Sequence, residues 1–447
     1  MTATIDSILH AAWIIPVEPH GVFLENHAIV ISEGKILDLL PSKIAEEKYK
    51  HNHTEQLKTH VLIPGLVNAH AHSPMVLFRG LADDLPLMTW LTEHIWPAEA
   101  TYLSEALMRD GTELAIAEML RGGTTCFNEH YFYPEVTAQT AMDCGMRACV
   151  GLWLGEVKTP WAQDVDTCLK KGMAALNAFN LPSFQHANRH LLSFSLAPHS
   201  PYMLNDGHML EMKALSEEHD LAIYMHLHET QDEIKTSLEQ YKQRPIQRLH
   251  RLGLLSHKFQ AVHMVQSTAE DIQLLHETNT HVINCPESNL KLASGFCPVH
   301  ALISAGVNVA LGTDGAASNN DLDMFTEMRS SALLAKAVAN DPTAISAATV
   351  LRMATLNGAK AMGLDRQIGS LEIGKAADLV AVNLAEINTQ PIYNPISQLI
   401  YAANSYQVSD VWIAGKPVLR NKELVTMNKE ALLEKAQQWR AKIRQFC

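Results

Sequence analysis

Between about residues 101 and 313 the chain repeats one pattern, a helix-length segment followed by a short apolar strand-length run, without turn-rich hairpins between them. The pairs are 101–121 with 124–128, 135–144 with 147–154, 207–219 with 221–227, 245–252 with 259–263, 268–276 with 281–285, and 298–305 with 307–313. The first helix stops at Gly122-Gly123, as a glycine-terminated helix does. Repetition of this kind is the signature of a parallel α/β fold, most simply a closed (β/α)8 TIM-like barrel, with an open doubly wound sheet as the alternative. The barrel is preferred because polar residues recur at the C-terminal ends of several strands, which a barrel gathers at one mouth.

The two ends of the chain have a different texture. Residues 1–62 read as short β-branched strands with a turn at Glu33-Gly34-Lys35, predicting a small antiparallel unit. Residues 368–382 and 408–419 return to strands and hairpins. At 447 residues the chain exceeds the roughly 250 at which one core stops growing, so two domains are expected. The division is 1–62 as the first part of a β-sandwich, 63–369 as the barrel, and 370–447 as the second part of the sandwich plus a C-terminal helix. That helix, 429–446, is charged and amphipathic and reads as a solvated surface element.

The strongest chemical signal is Pro64-Gly-Leu-Val-Asn-Ala-His70-Ala-His72, an apolar run leading into two histidines two apart. On a strand these share a face, so both imidazoles reach one ion. Five further strand ends carry polar groups: His199 after Ala-Pro, His226 and His228 before Glu229, His263, Asn284, and Asp314 after Gly-Thr. Burying such groups without partners is expensive, and a common ion or ligand accounts for them together. Catalytic zinc takes histidine nitrogens and a carboxylate and keeps one position for water, whose pKa it lowers to about 7. His70, His72, one histidine of the 224–229 strand and Asp314 supply that set, with Glu229 beside it to move protons. Spacing alone leaves His226 and His228 equivalent.

A formal charge of −13 without a Lys/Arg run argues against nucleic acid and an anionic membrane surface, and favours a small-molecule substrate. The N-terminus lacks a basic flank and long apolar core, and no apolar stretch approaches ~18 residues, so a cytoplasmic protein is expected. Seven scattered cysteines without Cys-x-x-Cys spacing read as reduced, mostly buried thiols.

With these motifs in order, the chain resembles the amidohydrolase superfamily, and within it the 5′-methylthioadenosine/S-adenosylhomocysteine deaminases, grouped with the triazine chlorohydrolases. The resemblance rests on PGLVNAHAHSPMVLFRG at 64–80, Trp90-Leu, Ile95-Trp-Pro-Ala-Glu99, Ala197-Pro-His199-Ser-Pro-Tyr and His226-Leu-His-Glu229-Thr. It continues through Ala261-Val-His263, Asn284-Cys-Pro-Glu-Ser-Asn, Gly312-Thr-Asp314-Gly and Gly369-Ser-Leu-Glu-Ile-Gly-Lys-Ala-Ala-Asp378. It implies a metal-dependent barrel with a sandwich built from both chain ends, and hydrolytic deamination of an adenosine derivative to the inosine derivative and ammonia. It also implies one zinc per subunit, with iron as the other metal, held by His70, His72, His226 and Asp314. His226 is preferred over His228 because the family pattern is His-x-x-Glu. Glu229 would carry a proton from the metal-bound water to a purine nitrogen, His263 would orient the attacking hydroxide, and Asp314 would pass the last proton to ammonia. Trp90, Glu99 and His199 match positions that contact the nucleoside, as does Glu229, and a homo-oligomer is the family expectation.

Some relatives grip the homocysteine carboxylate with an arginine beyond the Gly-Met-Arg-Ala strand start. Here Gly145-Met-Arg147-Ala leads into apolar Gly151-Leu-Trp-Leu, which favours 5′-methylthioadenosine over S-adenosylhomocysteine or adenosine. The rival enzymatic reading is a deaminase of guanine or another aminated heterocycle, or a triazine chlorohydrolase. The remote rival is a metal-free scaffold protein.

Overall fold

The computed structural model describes residues 5–49, 53–85 and 87–444. Four strands come first: β1 (Ser7–Ile14), β2 (Leu24–Ser32), β3 (Lys35–Pro41) and β4 (Thr54–Pro64). Eight more follow: β5 (Leu66–Ala71), β6 (Thr124–Glu129), β7 (Arg147–Leu154), β8 (Leu192–Pro198), β9 (Ala222–Leu227), β10 (Phe259–His263), β11 (His281–Asn284) and β12 (Val309–Leu311). Each pairs in parallel with the next. An isolated parallel bridge between Ala71 and Asp314 closes the ring. These strands are buried almost throughout, as parallel strands covered on both faces must be. The expected (β/α)8 barrel is therefore present.

At the closing seam, backbone pairing is sparse and side chains take its place. Asn68 on β5 accepts from the Thr313 amide at 3.0 Å and donates to the Thr313 hydroxyl at 2.8 Å. Asp314 N–H donates to His70 O at 3.0 Å. Gly312 is required by the close approach of the two chains, since a Cβ there would stand 2.7 Å from the Cβ and amide nitrogen of His70.

The chain ends form one mixed eight-stranded sheet in the order β16-β15-β14-β13-β4-β1-β2-β3, completed by β13 (Leu379–Asn383), β14 (Val408–Ile413), β15 (Lys416–Arg420) and β16 (Glu423–Leu424). Side-chain alternation sends Leu9, Ile29, Ile31 and Trp412 into one cluster and Ile8, Ala28 and Val30 into another. The unit is not wholly antiparallel as the turn signals suggest. β4 lies parallel to β1, because the helix Ser42–Lys48 intervenes between β3 and β4 and the chain re-enters on the far side of β1.

Two helices also differ from expectation. Segment 101–121 is broken, with Ser104 accepting from Leu107 N–H as the N-cap of Glu105–Arg121 and a separate helix Trp96–Tyr102 before it. The C-terminal helix Lys429–Ile443 is a packing element rather than a solvated one. Trp439 is buried and donates to Asp110 at 2.9 Å, and Lys435 reaches Asp110 and Glu113. The expected helix end at 444–446 lies partly outside the described residues. The six described cysteines are free and buried, as expected. Among the described residues no helix is long and apolar enough to cross a membrane.

The barrel and the mixed sheet are joined by a buried ion pair. Arg147 at the start of β7 donates Nε to Asp378 Oδ2 at 2.8 Å and Nη2 to Oδ1 at 3.1 Å, and Asp378 Oδ1 also accepts from Ala414 N–H at 2.8 Å. Both side chains are 3% or less exposed. Asp378→Asn leaves the guanidinium buried without its charge partner, so it should lower unfolding free energy by about 3–5 kcal/mol in denaturant titration.

Candidate active site

All the metal-ligand candidates meet at the C-terminal mouth of the barrel. His70 stands on β5 and His72 just beyond it, His226 on β9 and Asp314 after β12; one ligand atom from each lies within 4.8 Å of every other. His70 Nε2 and His72 Nε2 are each 3.1 Å from Asp314 Oδ1, and His226 Nε2 is 3.3 Å from His72 Nε2. The opposite ring nitrogens are engaged outward. His72 Nδ1 donates to His130 O at 2.6 Å and His226 Nδ1 to His199 O at 2.7 Å. Tyr224 donates its hydroxyl to Asn128 O at 3.2 Å, which leaves it to accept from His70 Nδ1. Each imidazole is thus held by its Nδ1–H with the Nε2 lone pair turned inward, the usual arrangement of a histidine poised for a metal.

Burial drives His70 down to about 3 and holds His226 well below its ordinary value, which favours the neutral imidazoles that could offer a lone pair to a cation. For His72 burial works the same way, but the Asp314 carboxylate prevails and raises it. A cation among the four donors would take the place of that proton and accept the Nε2 lone pairs that His70, His72 and His226 turn inward. Asp314 Oδ2 is fixed by Ser288 Oγ at 2.6 Å and Ser318 Oγ at 3.1 Å. The donor set, three nitrogens and one carboxylate oxygen, fits a catalytic zinc site with a position left over.

His226 and His228 are separated by the backbone, and only His226 joins the cluster. His228 has φ +53°, which turns its ring away from the mouth, where Nε2 accepts from Ile246 N–H at 3.2 Å. Glu229 then lines the cavity. Its carboxyl is raised above the usual range by burial, with His263 pulling it back. His263 donates Nδ1–H to Asn289 Oδ1 at 2.9 Å and brings Nε2 to 3.9 Å from Glu229 Oε2.

The same cavity takes in Trp90, Glu99 and His199, so every residue proposed from the sequence for metal, proton transfer or substrate borders one space except His70, which sits beneath it. Glu99 is pushed up to about 7 by burial, while the Tyr131 hydroxyl donates to it and lowers it. His199 is driven down to about 3 by burial, and its Nδ1 has no hydrogen-bond partner among the described residues. Asn284 is not in the cavity wall; its side chain accepts from Asn289 at 3.3 Å, behind His263.

Sequence reading missed His130, Tyr131, Tyr224, Ser288, Asn289 and Lys158. The first two follow β6 directly, and extending the strand-end search to that strand would have found them. Lys158 borders the cavity alongside Trp153, Phe132 and Met203, so the wall that reads as apolar at 151–154 acquires a cation four residues later.

A closed parallel barrel with a His-x-His strand, a histidine from β9 and an aspartate after β12 defines a metal-dependent hydrolase. The Amidohydrolase family model matches residues 61–418, and the chain belongs to that family. It is 44% identical to a 5-methylthioadenosine/S-adenosylhomocysteine deaminase of Teredinibacter turnerae, over 99% of this chain and 98% of that one. The deaminase of the same name from Saccharophagus degradans is 43% identical over 98% and 97%. Among solved structures, an adenosine deaminase from Xanthomonas campestris with bound zinc superposes with a TM-score of 0.95 at 50% identity, covering 98% of this chain and 99% of that one. An atrazine chlorohydrolase from Arthrobacter aurescens shares the fold, with a TM-score of 0.87 at 21% identity and coverage of 97% and 99%.

Asp314→Asn and His226→Asn should each lower metal content, measured by plasma emission on purified protein, because a lost ligand removes most of the affinity of a four-donor site. His228→Asn should keep its metal, since that ring faces the other way.

Proposed function

We propose that the protein is a zinc-dependent hydrolytic deaminase that converts the 6-amino group of an adenosine derivative to the inosine derivative with release of ammonia. The observation that carries it is the convergence of His70, His72, His226 and Asp314 on one point beside Glu229 and His263, in a cavity also bordered by Trp90, Glu99 and His199. Full-length identity with the deaminases named above supports the same reaction. Zinc held by the four donors supplies a Lewis acid that makes water nucleophilic at neutral pH.

The remaining chemistry belongs to the side chains. Glu229, whose burial raises its proton affinity, takes a proton from the attacking water and hands it to a ring nitrogen of the purine, which weakens the aromatic system toward addition at the amino-bearing carbon. His263, fixed by Asn289 at one nitrogen, turns the other toward the water and steadies charge at the tetrahedral carbon. Asp314 accepts the remaining proton of the added hydroxyl and returns it to the departing amine, so that the carbon–nitrogen bond breaks, ammonia leaves, and the ring keeps a carbonyl oxygen and the proton on its nitrogen. Glu99 accepts from ribose hydroxyls and Trp90 covers the nucleoside.

Trp153, Phe132 and Met203 offer the 5′ substituent an apolar surface suited to a methylthio group, and 5′-methylthioadenosine is the first substrate in this reading. Lys158 favours S-adenosylhomocysteine as a second, because its ammonium can meet a carboxylate that would otherwise lose its hydration unpaired. The protein is read as a cytoplasmic homo-oligomer acting on free nucleosides.

Metal-loaded protein should release ammonia and shift the adenine absorbance with 5′-methylthioadenosine, and Glu229→Gln should lower kcat by about 100-fold or more, the loss expected of a proton-transfer group. Activity on guanine alone, or none in the presence of bound metal, would overturn the substrate assignment. Lys158→Ala should raise KM for S-adenosylhomocysteine by about tenfold while leaving 5′-methylthioadenosine within about twofold, the difference between losing and never having a charge-assisted contact.

A further inference from the structure

Between the metal ligand His226 and the proton carrier Glu229 the chain leaves strand geometry. β9 ends at Leu227, and His228 takes φ +53°, a conformation that a non-glycine residue holds only when its surroundings impose it. Two side chains outside the cavity supply that constraint.

The first is Glu233. Thr230 caps the helix Gln231–Tyr241 by accepting from Glu233 N–H, so Thr230-Gln-Asp-Glu233 has the sequence of a capping box. In a capping box the glutamate returns to the amide of the cap residue itself. Here it reaches further back: Oε1 accepts from His228 N–H at 2.9 Å and Oε2 from Glu229 N–H at 2.8 Å. Two successive amides made convergent by a left-handed residue form a concave anion site, and Glu233 fills it with the chain's own carboxylate. Burial pushes the Glu233 carboxyl up to about 8 while the two N–H groups pull it back, and an N–H donor at bonding distance from each oxygen is the arrangement of the ionised form.

The second is His228. Its ring is fully buried; Nε2 accepts from Ile246 N–H at 3.2 Å, which places the ring proton on Nδ1, 3.6 Å from Asp271 Oδ2. Asp271 is held by Arg244, whose Nε and Nη2 lie 3.0 and 2.7 Å from Oδ2. The peptide groups on both sides of the turn are therefore gripped by Glu233, and the His228 ring is tied by one hydrogen bond to the helix Pro245–Arg251 and lies beside Asp271.

We propose that Glu233 and His228 are positioning residues that fix the direction of the Glu229 side chain, holding the left-handed turn that aims its carboxylate at the reacting atoms without touching the substrate. This rests on the role given to Glu229 above. Displacement of a reacting group by about 1 Å can cost about 100-fold in rate, so a brace of this kind is read in kcat rather than in binding.

The experiment compares Glu233→Gln with Glu229→Gln and the parent in steady-state deamination of 5′-methylthioadenosine, with metal content and thermal midpoint measured on the same samples. Glu233→Gln turns an amide toward one of the two N–H donors, and should lower kcat by about 10- to 100-fold while KM stays within about twofold and metal and midpoint are kept. A kcat within about twofold of the parent, or a loss of kcat matched by loss of metal and an early melt, overturns the proposal. Full activity in Glu229→Gln would instead overturn the reading of Glu229 on which it rests. Should Glu233→Gln fail to fold, His228→Asn and His228→Val decide. Asparagine tolerates the left-handed turn and β-branched valine resists it, so the asparagine variant should keep several-fold more kcat at equal KM. Equal kcat in the two would overturn the proposal.

Discussion

The site depends on one seam, where the first and last strands of the barrel meet. Seven of the eight parallel junctions are ladders of two or more residue pairs, the one between β5 and β6 with shifts in register; the eighth is a single bridge from Ala71 to Asp314, supplemented by Asn68 and by the close passage of Gly312 against His70. That seam brings a residue near position 70 within 3.1 Å of one at 314. Two histidines and a carboxylate from opposite ends of the barrel sequence become neighbours only because the ring closes. An open sheet would leave β5 and β12 at opposite edges and disperse the donor set. Closure of the ring is what assembles the candidate donors, and a cation held by Asp314, His70 and His72 would in turn tie the last strand to the first.

Around that centre, the backbone is held in unfavourable conformations at two residues proposed for chemistry, His263 and Asp314, and at His228 beside Glu229. His228, His263 and Asp314 all have positive φ, at +53°, +75° and +64°, each costing of order 1–3 kcal/mol in a non-glycine residue. Each is held by side-chain bonds that face away from the cavity or along its floor: His228 to Ile246, His263 to Asn289, Asp314 to Ser288 and Ser318. The pattern has a physical logic. A strand end in regular geometry directs successive side chains to opposite faces, whereas a left-handed residue at or just beyond the last paired position, as His263 and His228 are, breaks that alternation at the mouth. The strain is offset by buried hydrogen bonds and yields a fixed geometry for proton transfer.

Most of the candidate donor cluster was legible in the sequence: His70 and His72 share a face by the period of two and Asp314 sits where an apolar run ends, whereas periodicity left His226 and His228 equivalent and only the family resemblance preferred His226. The barrel was legible from periodicity as well. What escaped detection depends on contacts that no local pattern encodes. Tyr224 lies inside an apolar run and reads as core, yet its hydroxyl orients His70. Asn68 looks like an interruption of a strand and is the polar stitch of the seam. Glu233 carries the signature of a helix cap and spends its carboxylate on the residues before the cap. The parallel placement of β4 beside β1 is a topological choice that hairpin signals between β1, β2 and β3 do not reveal.

Lys158 shows why the wall of the cavity was harder to read than its floor. Floor residues are placed by strands, whose side-chain directions are set by the ladder, so a sequence position translates into a direction in space. The segment after β7 has no such ladder; Leu154 ends the strand, and residues 155–164 form a loop before the helix Val165–Asn180. Apolar residues 151–154 therefore describe the strand's own packing, with Leu152 and Leu154 in the core, rather than the lining presented to a substrate. Trp153 borders the cavity because it is at the strand's open end, and Lys158 because the loop folds back across the mouth. In a barrel the chemistry is written into strands and the selectivity into loops, and only the first of these is set by a periodic code.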